Sequence, residues 1–169
     1  MSTIPEQHKS SAPISLRCAV ITVSDTRTRE NDTGGDTVAE HLTRAGHVVA
    51  AREIVPDDPP RMRLVIGQFT DDPAIDAILL TGGTGLSSRD RTYETVSGLF
   101  TKHLPGYGEL FRMLSYAEIG AAAMLSRATG GLIGRTVVLT MPGSPAAVRL
   151  ALEKVILPEL GHLVREARR

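Results

Sequence analysis

The chain has no tryptophan, and aromatic side chains make up only 4% of its 169 residues. That poverty argues against the stacking platforms on which single-stranded nucleic acids lie. Neither charge is in excess. Nineteen Lys and Arg balance 19 Asp and Glu, so the bulk charge attracts neither nucleic acid nor an anionic membrane. A single cysteine, Cys18, excludes an internal disulfide and a cysteine-rich zinc site; it stands in the apolar stretch LRCAVITV, where a small buried side chain is expected. No apolar run reaches the roughly 20 residues needed to span a bilayer. The five histidines show no HxH or HxxH spacing, and no Gly-x-Ser-x-Gly elbow is present, so neither a zinc site nor a covalent nucleophile is indicated. The opening residues MSTIPEQHKSSAPIS lack a signal peptide's apolar core. They read as a flexible tail over residues 1–15, ahead of one domain over 16–169 in a cytosolic protein.

What the chain does have is alternation. Leu16 to Val23 is a continuous β-branched run, as in a strand buried on both faces. A helix is expected from about Asp36 to Ala45, stopped by Gly46, followed by a strand over His47–Val55 that PDDPP breaks. Met62, Val65, Ile66 and Phe69 keep helical spacing between Pro60 and Phe69, and Ile75–Thr81 is a third strand. Tyr93, Val96, Leu99, Phe100 and Leu104 mark a third helix, with Pro105-Gly106 as its stop. Gly108–Ala128 reads as mostly helical with a break near Gly120, Arg135–Met141 as a strand, and the remainder as one helix or two meeting near Pro158. Strands alternating with helices predict an α/β fold: a doubly wound, mostly parallel sheet with helices on both faces.

In such sheets ligands gather beyond the carboxyl ends of the strands. The residues with chemistry to offer fall there. Ser24 and Asp25 follow the first strand, and Asp57 follows the second. The third ends in Thr81, Gly82, Gly83, Thr84 and Gly85, then Ser87, Ser88 and Asp90; the last ends in Pro142, Gly143, Ser144 and Pro145. Glycines let backbone amides approach an anion, and successive amides form a nest for one, with Thr81 and Thr84 as candidate hydroxyl donors. The stretch is not a P-loop, because no Gly-Lys-Ser/Thr follows, and it lacks the third glycine of a dinucleotide fingerprint. Ser144 is a natural helix cap and Pro145 suits a first helical position. Asp57 and Asp90 are the acids that could hold Mg²⁺ against a polyphosphate, since magnesium takes oxygen ligands from one or two carboxylates and from phosphates. Each also has a plainer reading, Asp57 as a turn residue and Asp90 as an arginine partner.

TGGTG with Asp90 beyond it, then PGYGELFRMLS, LSRATGG and MPGSP in that order, resembles the MoaB/Mog family of molybdenum cofactor biosynthesis, whose domain also occurs in gephyrin. FRMLSYAEIG is similar to the MoaB branch. The resemblance implies a molybdopterin-binding fold and a homotrimer or homohexamer. It also implies transfer of AMP from ATP, with Mg²⁺, to the terminal phosphate of molybdopterin, releasing pyrophosphate. It maps the family's essential acids onto Asp57 and Asp90 and its serine onto Ser126. Phosphate and pterin binding map onto the glycine loop and the Pro142–Pro145 turn. Thr140 takes the place of the asparagine that many active members carry before the last Pro-Gly, so one ligand contact differs. Two alternatives stay open: a member that binds molybdopterin without turnover, and a Rossmann-type oxidoreductase with Asp57 on a ribose.

Overall fold

The structure is a computed structural model, and it describes residues 15–169. The tail expected over residues 1–15 lies outside the described residues apart from Ser15, whose hydroxyl donates to Gly46 O at 2.9 Å.

In chain order the elements are β1 (Arg17–Val23), α1 (Thr33–Arg44), β2 (Val48–Val55), α2 (Pro59–Thr70), β3 (Ala77–Thr81), α3 (Thr92–Ser97) and β4 (Lys102–His103). Then follow α4 (Pro105–Ile119) with a 3-10 turn (Gly120–Leu125), β5 (Gly130–Ile133) and β6 (Thr136–Met141). The chain ends in α5 (Pro145–Ala151), a π-helical turn (Leu152–Ile156) and α6 (Leu157–Ala167). The six strands form one sheet in the order β2-β1-β3-β6-β5-β4. The first four are parallel; β5 and β4 are antiparallel to their neighbours.

Every residue of β3 and β6 is buried, which fits strands covered on both faces. Alternate residues of β1 feed two cores. Cys18 and Val20 join Leu42, Leu79, Phe111 and Leu152 beneath α1, α4, α5 and α6. Ala19 and Ile21 join Met62, Ile66, Leu80 and Val96 beneath α2 and α3. The doubly wound expectation holds. Cys18 is fully buried, and burial, then the nearby Asp76 charge, pushes its thiol up to about 12. Among the described residues no helix is long and apolar enough to cross a membrane.

The register places the site. Val23 pairs with Val55, Thr22 with Thr81, and Thr81 with Met141, so β1, β2, β3 and β6 end level. The four loops that follow them therefore leave from one edge.

Three local expectations need correction. First, α1 begins at Thr33 rather than Asp36, because Asp32 caps it: its Oδ1 accepts from Gly35 N at 3.0 Å. Second, the third helix stops at Ser97 instead of running to Leu104. Thr101 N donates to Leu132 O and Leu104 N to Gly130 O, both at 2.7 Å, which draws this stretch onto the sheet edge as β4. Pro105 does not stop that helix but starts α4, where its missing N–H costs nothing. Third, β5 lies in the GG stretch beyond the expected helix; two glycines in a four-residue strand give no apolar period to read. At the far end one helical rod runs on past Pro158, and the wider π-turn just before it accommodates a residue with no N–H.

Candidate functional site

The turn after β3 is tight by construction. Gly82 has φ +101°, and a side chain there would strike the Val23 carbonyl. Gly83 has φ +63°, and a Cβ there would stand 2.6 Å from Asp57 Oδ2. Neither position admits another residue without strain. The start of α3 closes the turn, with Thr92 Oγ1 donating to Gly82 O at 3.0 Å and Thr92 N to Gly83 O at 3.1 Å. The amides of Gly83, Thr84 and Gly85 donate to no acceptor among the described residues. These are three successive amides left free at the turn where the glycine pattern suggested an anion nest.

Both acids lie against this turn. Asp57 Oδ1 accepts from Arg91 N at 3.0 Å, and its Oδ2 faces Gly83. Asp90 Oδ2 accepts from Ser87 N at 2.9 Å, and a Cβ on Gly85 would stand 2.8 Å from it. Asp25 reaches in from the loop after β1. Its Oδ1 accepts from Asp57 N at 3.1 Å, and its Oδ2 pairs with Arg89. The Asp57 carboxyl is held above the usual 3.8, chiefly by partial burial; the Arg91 amide opposes this, and the Asp90 and Asp25 charges add to it. Among the described residues no group of three or more His, Cys, Asp or Glu side chains is placed to hold a metal by itself. Two carboxylates beside a row of free amides supply the oxygen donors that magnesium takes alongside water and phosphate.

The turn after β6 stands beside the glycine turn. Thr81 Oγ1 donates to Pro142 O at 3.0 Å, and a Cβ on Gly143 would stand 3.5 Å from Gly82 Cα. Ser144 caps α5, its Oγ accepting from Ala147 N at 3.3 Å, and Pro145 occupies the first turn. The amides of Gly143, Ser144 and Ala146 also lack an acceptor among the described residues. This turn forms a wall between two clefts. One, of about 420 Å³, is lined by Ser24, Arg27, Asp32, Gly82, Gly143 and Ser144. The other, of about 340 Å³, is more apolar, with Phe111, Ile119, Leu125 and Ala147 opposite Asp90 and Ser126. A larger hollow of about 610 Å³ lies by Thr70, Pro73, Gly134 and Arg168, at the opposite edge of the sheet from the glycine turn.

A family model described as a probable molybdopterin binding domain matches residues 19–162. The molybdenum cofactor biosynthesis protein B of Bacillus subtilis (strain 168) is 52% identical over 165 residues, 97% of each chain. A crystal structure of a molybdenum cofactor biosynthesis protein B superposes with TM-score 0.90 at 51% identity, over 94% of this chain and 99% of that one. The crystal structure of the tungsten cofactor synthesizing protein MoaB from Pyrococcus furiosus gives 0.85 at 38%, over 94% and 100%. The chain belongs to the molybdenum cofactor biosynthesis protein B family.

Within this family fold, not every expected residue faces the clefts. Thr140 is fully buried; its Oγ1 donates to Thr129 O at 3.1 Å and accepts from Thr129 N at 2.9 Å. It ties β6 to the strand entry beside it, so the Thr140 hydroxyl, expected among the binding residues, is spent inside the sheet. Thr81 borders the polar cleft but is buried, and its hydroxyl ties the glycine turn to Pro142. Ser24 Oγ accepts from Arg27 N at 3.1 Å and Ser87 Oγ from Arg89 N at 3.3 Å, so both shape their own loops. Thr84 and Ser126 line the apolar cleft.

Two residues beside the clefts and the glycine turn escaped the sequence reading. Asp32 is 2% exposed, accepts from Thr22 Oγ1 at 2.9 Å, pairs with Arg52 and lines the polar cleft. Its signal was present, an aspartate directly before a helix start, but Gly34-Gly35 disguised that start as loop. Arg127 donates to the carbonyls of Gly85 and Asp90, across 42 and 37 residues of sequence. Nothing local announces such a contact.

Proposed function

We propose that this member of the family adenylylates molybdopterin: a terminal phosphate oxygen of molybdopterin attacks the α-phosphorus of ATP, the bond to pyrophosphate breaks, and pyrophosphate leaves. The observation that carries the reading is the meeting of Asp57 and Asp90 at one glycine turn that also presents three unpaired amides. The substrate supplies its own nucleophile, so the protein has only to place two anions in line and stabilise the charge that develops. The amides of Gly83–Gly85 and of Gly143 and Ser144 are suited to phosphate oxygens. The two clefts on either side of the Pro142–Ser144 wall offer separate places for two ring systems. Asp57 and Asp90 are the groups that would hold magnesium delivered with ATP, and the ion would neutralise phosphate charge there.

The dinucleotide reading has less support. The loop after β1 contains no glycine before α1, and Asp57 Oδ1 is engaged by the Arg91 amide rather than open to a ribose. Binding without turnover draws on Thr140, whose side chain is buried where many active members carry asparagine. One experiment separates the two. Purified protein, molybdopterin and Mg-ATP should yield adenylylated molybdopterin and pyrophosphate in equal amounts. Asp57→Asn and Asp90→Asn should each lower turnover by about 100-fold or more while leaving circular dichroism unchanged. Bound pterin with no pyrophosphate from the wild type selects the carrier role instead.

The apolar side chains on the outer face of α4 and its 3-10 turn support the homotrimer or homohexamer that the family resemblance implies. Met113, Tyr116 and Met124 are 60%, 65% and 77% exposed, with Leu110, Ile119 and Leu125 also exposed.

A further inference from the structure

We propose that Arg127 is the positioning residue that aligns the two acids, an inference that rests on the adenylyl-transfer reading of the same site. Arg127 lies in the segment between the 3-10 turn and β5. Its Nε donates to Gly85 O at 2.8 Å, its Nη2 to Asp90 O at 2.9 Å, and its Nη1 pairs with Glu94 of α3. Its backbone amide donates to Thr84 O at 3.1 Å, and the guanidinium lies 5.3 Å from the centre of the Tyr93 ring. One residue thus holds the glycine loop at Thr84 and Gly85, the loop's far end at Asp90, and Glu94 beyond it in α3.

The consequence runs through a single peptide unit. The carbonyl of Asp90 and the amide of Arg91 belong to the same planar trans group and point in opposite directions. Arg127 Nη2 holds the carbonyl end. Asp57 Oδ1 accepts from the amide end at 3.0 Å. The plane is pinned at both ends, which fixes where the Asp57 carboxylate rests. The Asp90 side chain springs from the Cα immediately before that plane, and Ser87 N holds its Oδ2 at 2.9 Å. Two acids 33 residues apart in sequence are therefore referenced to one peptide, and Arg127 sets its orientation. The Arg127 side chain is 22% exposed, and its planar fork sets three separate nitrogens against three acceptors, a spread that the single nitrogen of a lysine ammonium does not span. On either side of that peptide, Asp90 N donates to Ser87 O at 2.9 Å and Arg91 O accepts from Thr95 N at 3.0 Å, so Arg127 adds the hold on the one carbonyl between them.

The test uses the full chain with Arg127→Lys and Arg127→Ala. Amide hydrogen exchange is read by NMR at Arg91, with Ile78 and Leu79 of β3 as internal references, alongside steady-state kinetics. In both variants the Arg91 amide should exchange at least ~10-fold faster while the β3 amides do not change. kcat should fall by ~10–100-fold, with KM for Mg-ATP and for molybdopterin within about threefold, the lysine variant intermediate. Unchanged exchange at Arg91 overturns the proposal. So does faster exchange with an unchanged kcat, and so does a loss confined to KM, which would make Arg127 a substrate contact. If the alanine variant also loosens β3, the lysine variant decides. If the wild type makes no product, the adenylyl-transfer reading has failed, and exchange at Arg91 still decides whether the clamp exists.

Discussion

The surroundings of Asp57 oppose its charge. Partial burial raises its pKa above 3.8, the Arg91 amide only partly offsets this, and the Asp90 and Asp25 charges raise it further. If the carboxylate is the working form, the acid limb of activity should lie above the range of an ordinary aspartate. Asp25→Asn removes one of the opposing charges and should move that limb to lower pH in a kcat/KM profile. The sign for stability follows from the same shift. A folded-state pKa above the unfolded one means that folding disfavours the ionised form. Stability is then lost as pH rises through that interval and regained as it falls. Asp57→Asn should therefore raise the thermal midpoint at neutral pH, even as it lowers turnover, and the gap should close below pH 3.8. A lower midpoint for the variant at neutral pH would contradict this. The position of Asp57 beside the glycine turn was legible from its place after a strand. The opposing charge of Asp25 was not, because it depends on how two loops fold towards each other.

At the scale of elements, caps and edges decide what the sequence pattern leaves open. α1 starts where Asp32 caps it, and the same buried carboxylate accepts from Thr22 Oγ1 and pairs with Arg52. Asp32→Ala removes the cap and leaves a buried hydroxyl and a half-buried guanidinium short of a partner. It should cost about 2–3 kcal/mol, read as a lower urea midpoint at unchanged slope. The all-buried strands β3 and β6 and the amphipathic α2 were plain in the sequence, because burial imposes a period or a run. β4 and β5 were not, since they exist through pairing with each other and with β6 rather than through any pattern of their own. Pro105 shows the same limit. A proline followed by glycine marks a break, and only the tertiary hydrogen bonds of Thr101 and Leu104 tell whether the helix lies before it or after it.

For the whole molecule, parallel pairing is what made the site readable from sequence. Four level strand ends place four loops on one edge, so residues more than a hundred positions apart could be assigned to one region before any contact was known. The division of that region into two clefts was not legible, because the wall between them is a contact between the turns after β3 and β6. The apolar outer face of α4 belongs to this scale too. Met113→Glu places a charge amid Tyr116, Met124 and Arg112, which line the same hollow. It should shift the protein in light scattering from three or six chain masses towards one, with the monomer still folded. A wild type already at one chain mass would remove oligomerisation through this face.

The sealed thiol at the centre of the sheet has a practical corollary. Cys18 sits at 0% exposure with its ionisation pushed up to about 12, so maleimides and other alkylating dyes find no thiolate to attack in the native chain. A cysteine introduced at exposed Ser88, beside the glycine turn, would then be the sole labelling point. A fluorophore placed there could follow the loop as ligands arrive, with no native cysteine to delete first.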